Sequence, residues 1–161
     1  MQSVEPRDEC IHKLAPIHFE TSWYHGSVDV VSNHISGLLL IKHMPDSSYR
    51  TVFTNEAGIT FFDFGFSKDG SFAVYNITKK LDRGVVIRTL KKDFELILGL
   101  PFRHARFNAW EIDDEVFYGT TQKNGTPYFI TTKDCASLRR LEWGSGRRRL
   151  VTGEVVGRGY P

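Results

Sequence analysis

Cysteine, long apolar runs and an excess of either charge are what this chain has least of, and each shortage excludes something. Only Cys10 and Cys135 occur among 161 residues, in no C-x-x-C arrangement. That removes a zinc finger or a thioredoxin-type redox site, while a pairing of the two with each other stays open. No apolar stretch reaches the roughly eighteen residues of a membrane-spanning helix. The start, Met1-Gln2-Ser3-Val4-Glu5-Pro6-Arg7-Asp8-Glu9, has no apolar core of the signal-peptide kind, so no signal peptide is visible in it. Lys+Arg 21 against Asp+Glu 19 leave a net charge of +2, whereas a domain that attracts nucleic acid as a whole usually carries a large positive excess.

Catalytic signatures are missing as well. The sequence has no G-x-S-x-G nucleophile elbow, no phosphate loop and no dinucleotide fingerprint, so no enzyme activity and no cofactor is expected. Six histidines stand at 12, 18, 25, 34, 43 and 104, none followed by another at i+4. On a strand His12 and His18 would lie about 20 Å apart, too far to share one metal ion. Abundance lies elsewhere: 12 Phe, 6 Tyr and 3 Trp make 13% of the chain aromatic, which favours strands and apolar pockets over a helical bundle.

Periodicity organises the rest. Residues 1–16 are charged, contain Pro6 and Pro16 and show no period, so they read as a loosely ordered lead-in to a single domain over 17–161. Alternation begins at Ile17 and continues through 27–31, 35–41, 49–54, 59–66 and 72–76, with turns expected at Asn33-His34, Pro45 to Ser48, Asn55 to Gly58 and Lys68-Asp69-Gly70. Val86, Leu90, Phe94 and Ile97 then recur at helical spacing, predicting one amphipathic helix over about 82–98, capped by Asp82 and stopped by Gly99 and Pro101. Strands resume at 109–112, 116–121, 126–132, 137–143 and 150–156. The expected fold is α+β. About ten antiparallel strands form a strongly curved sheet or half-open barrel, with the helix across its concave face.

Such a sheet covered by a helix can enclose an apolar cavity. Leu38, Leu40, Phe62, Phe64, Phe66, Leu90 and Phe94 are the expected wall, although the same side chains serve equally well as plain core. Ser36-Gly37-Leu38-Leu39-Leu40, then Tyr49-Arg50-Thr51-Val52-Phe53-Thr54-Asn55-Glu56-Ala57-Gly58 before an apolar strand, and Leu98-Gly99-Leu100-Pro101 closing a helix, resemble the LolA/LolB lipoprotein-carrier family over about residues 35–101. The resemblance implies a half-open barrel with a helical lid that holds lipoprotein acyl chains, in the periplasm or at the outer membrane. Its partners would be a lipid or a lipidated protein. The receptor branch has an exposed leucine at the turn where this chain has Ala57, and a lipidated N-terminal cysteine whose flanking residues differ from those around Cys10.

Two charged features complete the reading. Five arginines, Arg139, Arg140, Arg147, Arg148 and Arg149, flank a glycine turn near Trp143. Arginine forks beside an aromatic ring suit phosphates, so the hairpin 139–149 is a candidate contact for an anionic membrane or, as the alternative function, for nucleic acid. An interaction domain without any small ligand is the remaining possibility. Asp63 falls among four phenylalanines, where it must either face solvent or pair with a cation such as Arg50. Asp113-Asp114-Glu115 reads as a solvated hairpin tip.

Overall fold

Strand alternation and turn chemistry build the middle of the chain. The computed structural model describes residues 2–14, 20–123, 125–144 and 149–151, the last three by their backbone. Strands β2 (Thr21–Val30), β3 (Asn33–His43), β4 (Tyr49–Thr54), β5 (Thr60–Phe66) and β6 (Phe72–Ile77) form a five-stranded antiparallel sheet in sequence order. Its tight turns follow from local side chains. Gly58 (φ 82°) and Gly70 (φ 89°) supply the left-handed residue. Asn55 Oδ1 accepts from the Ile59 N–H at 2.8 Å, and the Asp69 carboxylate accepts from the Ser71 N–H at 2.9 Å.

The first hairpin turns two residues before the expected Asn33-His34. Val30 pairs with Asn33, and the turn is Val31-Ser32, with Val31 at φ 55°, a costly conformation for a β-branched residue. Asn33 is instead the buried first residue of β3. The predicted helix is present as α2 (Gly84–Ile97). Val86, Leu90 and Phe94 are its buried stripe, and Gly99 (φ 70°) ends it before a 3-10 turn over Leu100–Phe102.

The remaining strands form a second sheet. β1 (Gln2–Val4), β7 (Asn108–Ile112), β8 (Glu115–Gly119), β9 (Thr126–Thr132), β10 (Leu138–Gly144) and β11 (Arg149–Val151) lie in the order β1-β7-β8-β9-β10-β11. The described strands therefore divide between sheets of five and six, where the sequence predicts one sheet of about ten. Among the described residues the chain forms two compact units, one of 20–94 and one of 2–14 with 95–151.

The N-terminal residues differ most from expectation. Residues 2–4 pair with β7, and Asp8–Leu14 form a short helix, α1, in place of a loose lead-in. What orders them is distant in sequence. Cys10 is disulfide-bonded to Cys135 with Cα atoms 5.5 Å apart. Both join Leu96, Phe102, Tyr118, Phe129 and Trp143 in the core of this unit. Seven residues are too few for an autonomous helix, so tertiary anchoring does the work.

Candidate functional site

The five-stranded unit holds most of the expected ligand wall. Register decides which residues share a face, because directly paired residues on adjacent strands point the same way. Leu39 pairs with Phe53 and Phe53 with Phe62; Ile41 pairs with Thr51 and Thr51 with Phe64; Tyr49 pairs with Phe66. These residues form one face. Phe62, Phe64, Phe66, Leu90 and Phe94 are at most 3% exposed. The rings touch one another: Phe62 stacks on Phe64 at 4.6 Å, and Phe94 meets Phe62 edge-on at 5.5 Å. Phe53 and Phe72 extend the layer at 5.5 Å from Phe62 and 5.2 Å from Phe64.

Leu38 and Leu40 are not part of it. Leu40 pairs with Trp23 and Val52, Val52 pairs with Asp63, and Leu38 pairs with His25 and Thr54. Both leucines thus belong to the opposite face, half-buried, because a one-residue step on a strand reverses direction. Sequence reasoning also missed Phe53, whose signal was the alternation Tyr49, Thr51, Phe53. Thr51 lies fully buried in the layer, and its hydroxyl has no hydrogen-bond partner among the described residues.

On the opposite face Asp63 takes the second of its two expected options. Arg50 grips it with Nε at 3.0 Å and Nη2 at 2.6 Å. This hydrogen-bonded pairing raises the Arg50 pKa, so the cation is fixed. The guanidinium also covers the Tyr75 ring, 3.9 Å from its centroid. Gly65 makes room for that ring, since a Cβ there would come within 2.5 Å of Tyr75 Cε2. The β2–β3 hairpin runs on beyond Thr54, the end of β4. An open depression of about 550 Å³ lies there, lined by His25, Gly26, Ser36, Gly37 and the turn residues Asn55, Glu56 and Ala57.

The arginine hairpin belongs to the other unit and is partly committed to internal partners. Arg140 holds Glu115 with two bonds of 2.6 and 2.8 Å, donates to Glu142 at 2.8 Å, and spreads over the Phe117 ring. These bonds raise the Arg140 pKa and lower that of Glu115. Arg139 reaches Asp114 at 3.3 Å. Arg140 therefore does not present a free guanidinium to an anionic surface, and Glu115 is part of a half-buried ion pair instead of a solvated tip. Arg147 and Arg148 lie outside the described residues, and Arg149 is described only as the backbone start of β11.

Among the described residues no cluster of His, Cys, Asp and Glu could hold a metal ion, and no helix is long and apolar enough to cross a membrane. Comparison with protein-family models, with curated proteins and with solved structures finds no match to this chain.

Proposed function

We propose that this chain is a non-enzymatic binding or transfer protein for an apolar chain, such as a lipid or lipoprotein acyl group, working as LolA/LolB-like carriers do. In this reading its strands act as a half-open barrel. The observation that carries it is the phenylalanine layer, in which Phe53, Phe62, Phe64, Phe66 and Phe72 of the sheet touch one another and Phe62 and Phe64 meet Phe94 of one amphipathic helix. Rings held to a helix by edge contacts, with one unpartnered hydroxyl as the polar interruption, make a boundary that an acyl chain can enter when α2 shifts. Each methylene then removed from water contributes about 0.8 kcal/mol. A chain of a dozen methylenes would offset much of the cost of separating helix and sheet. Leu38 and Leu40 have no part in this layer.

The Cys10–Cys135 disulfide supports a working place in an oxidising compartment such as the periplasm or the outer-membrane surface, because such bonds are rare where thiols are kept reduced.

Purification without detergent, organic extraction and mass spectrometry are expected to find a co-purifying lipid. Titration of an environment-sensitive fatty-acid probe into stripped protein should saturate and be insensitive to salt. A Phe94→Trp variant should be quenched by a brominated fatty acid beyond the quenching of the native tryptophans. A clean extract together with unsaturable probe signal and no added quenching would leave the layer as core alone and refute the proposal.

A further inference from the structure

We propose that β6, the open edge of the five-stranded sheet, pairs antiparallel with β6 of a second copy of this chain, joining two such sheets into one across a two-fold axis. The pairing does not depend on the acyl site.

Sheet edges invite pairing, and folds usually blunt them with short strands or charged residues. Four of the described strands end a sheet, and β6 differs from the other three. β1 and β11 have three residues each, and β2 carries His25, Gly26 and Asp29. β6 is Phe72-Ala73-Val74-Tyr75-Asn76-Ile77, without charge, glycine or proline and rich in residues that favour strands. Its middle four residues are exposed, Val74 by 40% and Tyr75 by 61%. Among the described strands only β5 pairs with it.

The ladder to β5 decides which backbone groups of β6 are free. At one end the Ser67 N–H donates to the Ser71 carbonyl and at the other the Thr78 N–H donates to the Phe61 carbonyl, both at 2.9 Å. Bonded and non-bonded pairs alternate along an antiparallel ladder. Ala73 opposite Gly65 and Asn76 opposite Asp63 are therefore bonded to β5, while Phe72, Val74 and Ile77 turn their backbone groups to the open edge. Tyr75 is the extra residue of the bulge between them. A two-fold pairing of Phe72 with Ile77 of the second copy sets edge-facing groups against edge-facing groups and uses the whole strand. The two bulges then meet at the axis. Phe72 and Ile77 both lie on the face of the phenylalanine layer, and Ala73 meets Asn76 on the other face, so the sheets join without reversing a face. The same register brings Asp69, in the β5–β6 turn, level with Lys80 of the second copy, in the connection to α2, and symmetry repeats the match. Both are exposed, and Lys68 falls level with the buried Leu81. The edge is thus complementary to itself in hydrogen bonding, in face and in charge, which singles out a second copy as its occupant.

The test is analytical ultracentrifugation of the full chain over a range of concentrations. A six-residue ladder is small beside a standard interface, so a weak, reversible monomer–dimer equilibrium is expected. Val74→Pro removes an edge-facing N–H that β5 does not use, and it should abolish the dimer while the far-UV circular dichroism of the fold is retained. Lys80→Glu makes both charge contacts repulsive and should weaken the dimer about tenfold; adding Asp69→Lys to it should restore the affinity. Amide exchange reads the register without any variant. As concentration rises, Phe72 and Ile77 should gain protection, whereas Ala73 and Asn76, already bonded to β5, should not change. Should proline unfold the strand, the charge variants and amide exchange decide alone. A chain that stays monomeric at every concentration would overturn the proposal. So would a dimer that survives a folded Val74→Pro variant, or one weakened by Lys80→Glu and not restored by the swap.

Discussion

Replacing both Cys10 and Cys135 with alanine should remove about 5 kcal/mol of stability, and the figure follows from where the bond lies. The two residues are 125 apart in sequence. In the chain-entropy account, a loop of that length costs the unfolded chain about 16 cal/mol/K of freedom, which is roughly 5 kcal/mol at 25 °C. Domains commonly have 5–15 kcal/mol in total, so the loss approaches the whole margin. Lost sulfur packing adds to it, since Cys10 is 1% exposed and Cys135 5%. The assay is urea unfolding of the oxidised wild type beside the double variant, followed by far-UV circular dichroism. With a slope of about 2 kcal/mol/M, the midpoint should fall by roughly 2.5 M. Amide exchange in the variant should show residues 2–14 losing protection first, because β1 contributes only three paired residues to its sheet. A midpoint shift below about 0.5 M, with 2–14 still protected, would refute the reasoning and mean that noncovalent packing alone orders this segment.

Other substitutions probe single contacts. Thr51→Val keeps the shape of a fully buried side chain and removes a hydroxyl without a partner, so thermal unfolding should show a gain of about 1 kcal/mol. Gly37→Ala should cost about 2 kcal/mol or more, because its Cβ would meet the Thr54 carbonyl oxygen at 2.1 Å; Gly65→Ala should cost less, since only the exposed Tyr75 ring must move. Denaturation midpoints for the two variants check that order. Glu115→Gln should lose about 1–2 kcal/mol at neutral pH. The Glu115 pKa is lowered in the folded protein by Arg140, so this contribution is fully present above the ordinary carboxylate value and disappears as pH falls through the depressed one. Wild type and variant should therefore converge in stability in acid, and a gap that persists there would argue against the ion pair as its source.

Which parts were legible depends on whether the cause lies nearby in the sequence. Phe62, Phe64 and Phe66 alternate with Phe61, Asp63 and Gly65, so their shared face and the strand itself could be read directly, and the Arg50–Asp63 pair followed from the cost of a carboxylate there. The stretch Ile35 to Ile41 is apolar on both parities. Only its pairing with Phe53 and Val52 assigns Leu39 to the layer and Leu38 and Leu40 to the other face, and register is a relation between strands. Val31 carries no turn chemistry, so the hairpin was expected at Asn33-His34, residues that have it. Residues 2–14 were the least readable, because both of their anchors, β7 and Cys135, lie more than a hundred residues away.

That last separation has a consequence for synthesis. A ribosome adding roughly 5–20 residues per second delivers Cys135 some 6–25 seconds after Cys10, so the segment made early is among the last to be completed. The meander of β2 to β6 can form while Cys10 waits as a free thiol. With only two cysteines in the sequence, no wrong partner exists within the chain, and the hazard during the wait is a bond to another molecule. Where the chain enters an oxidising compartment as it is made, crosslinked dimers should thus accumulate when elongation is slowed and become rarer when it is fast.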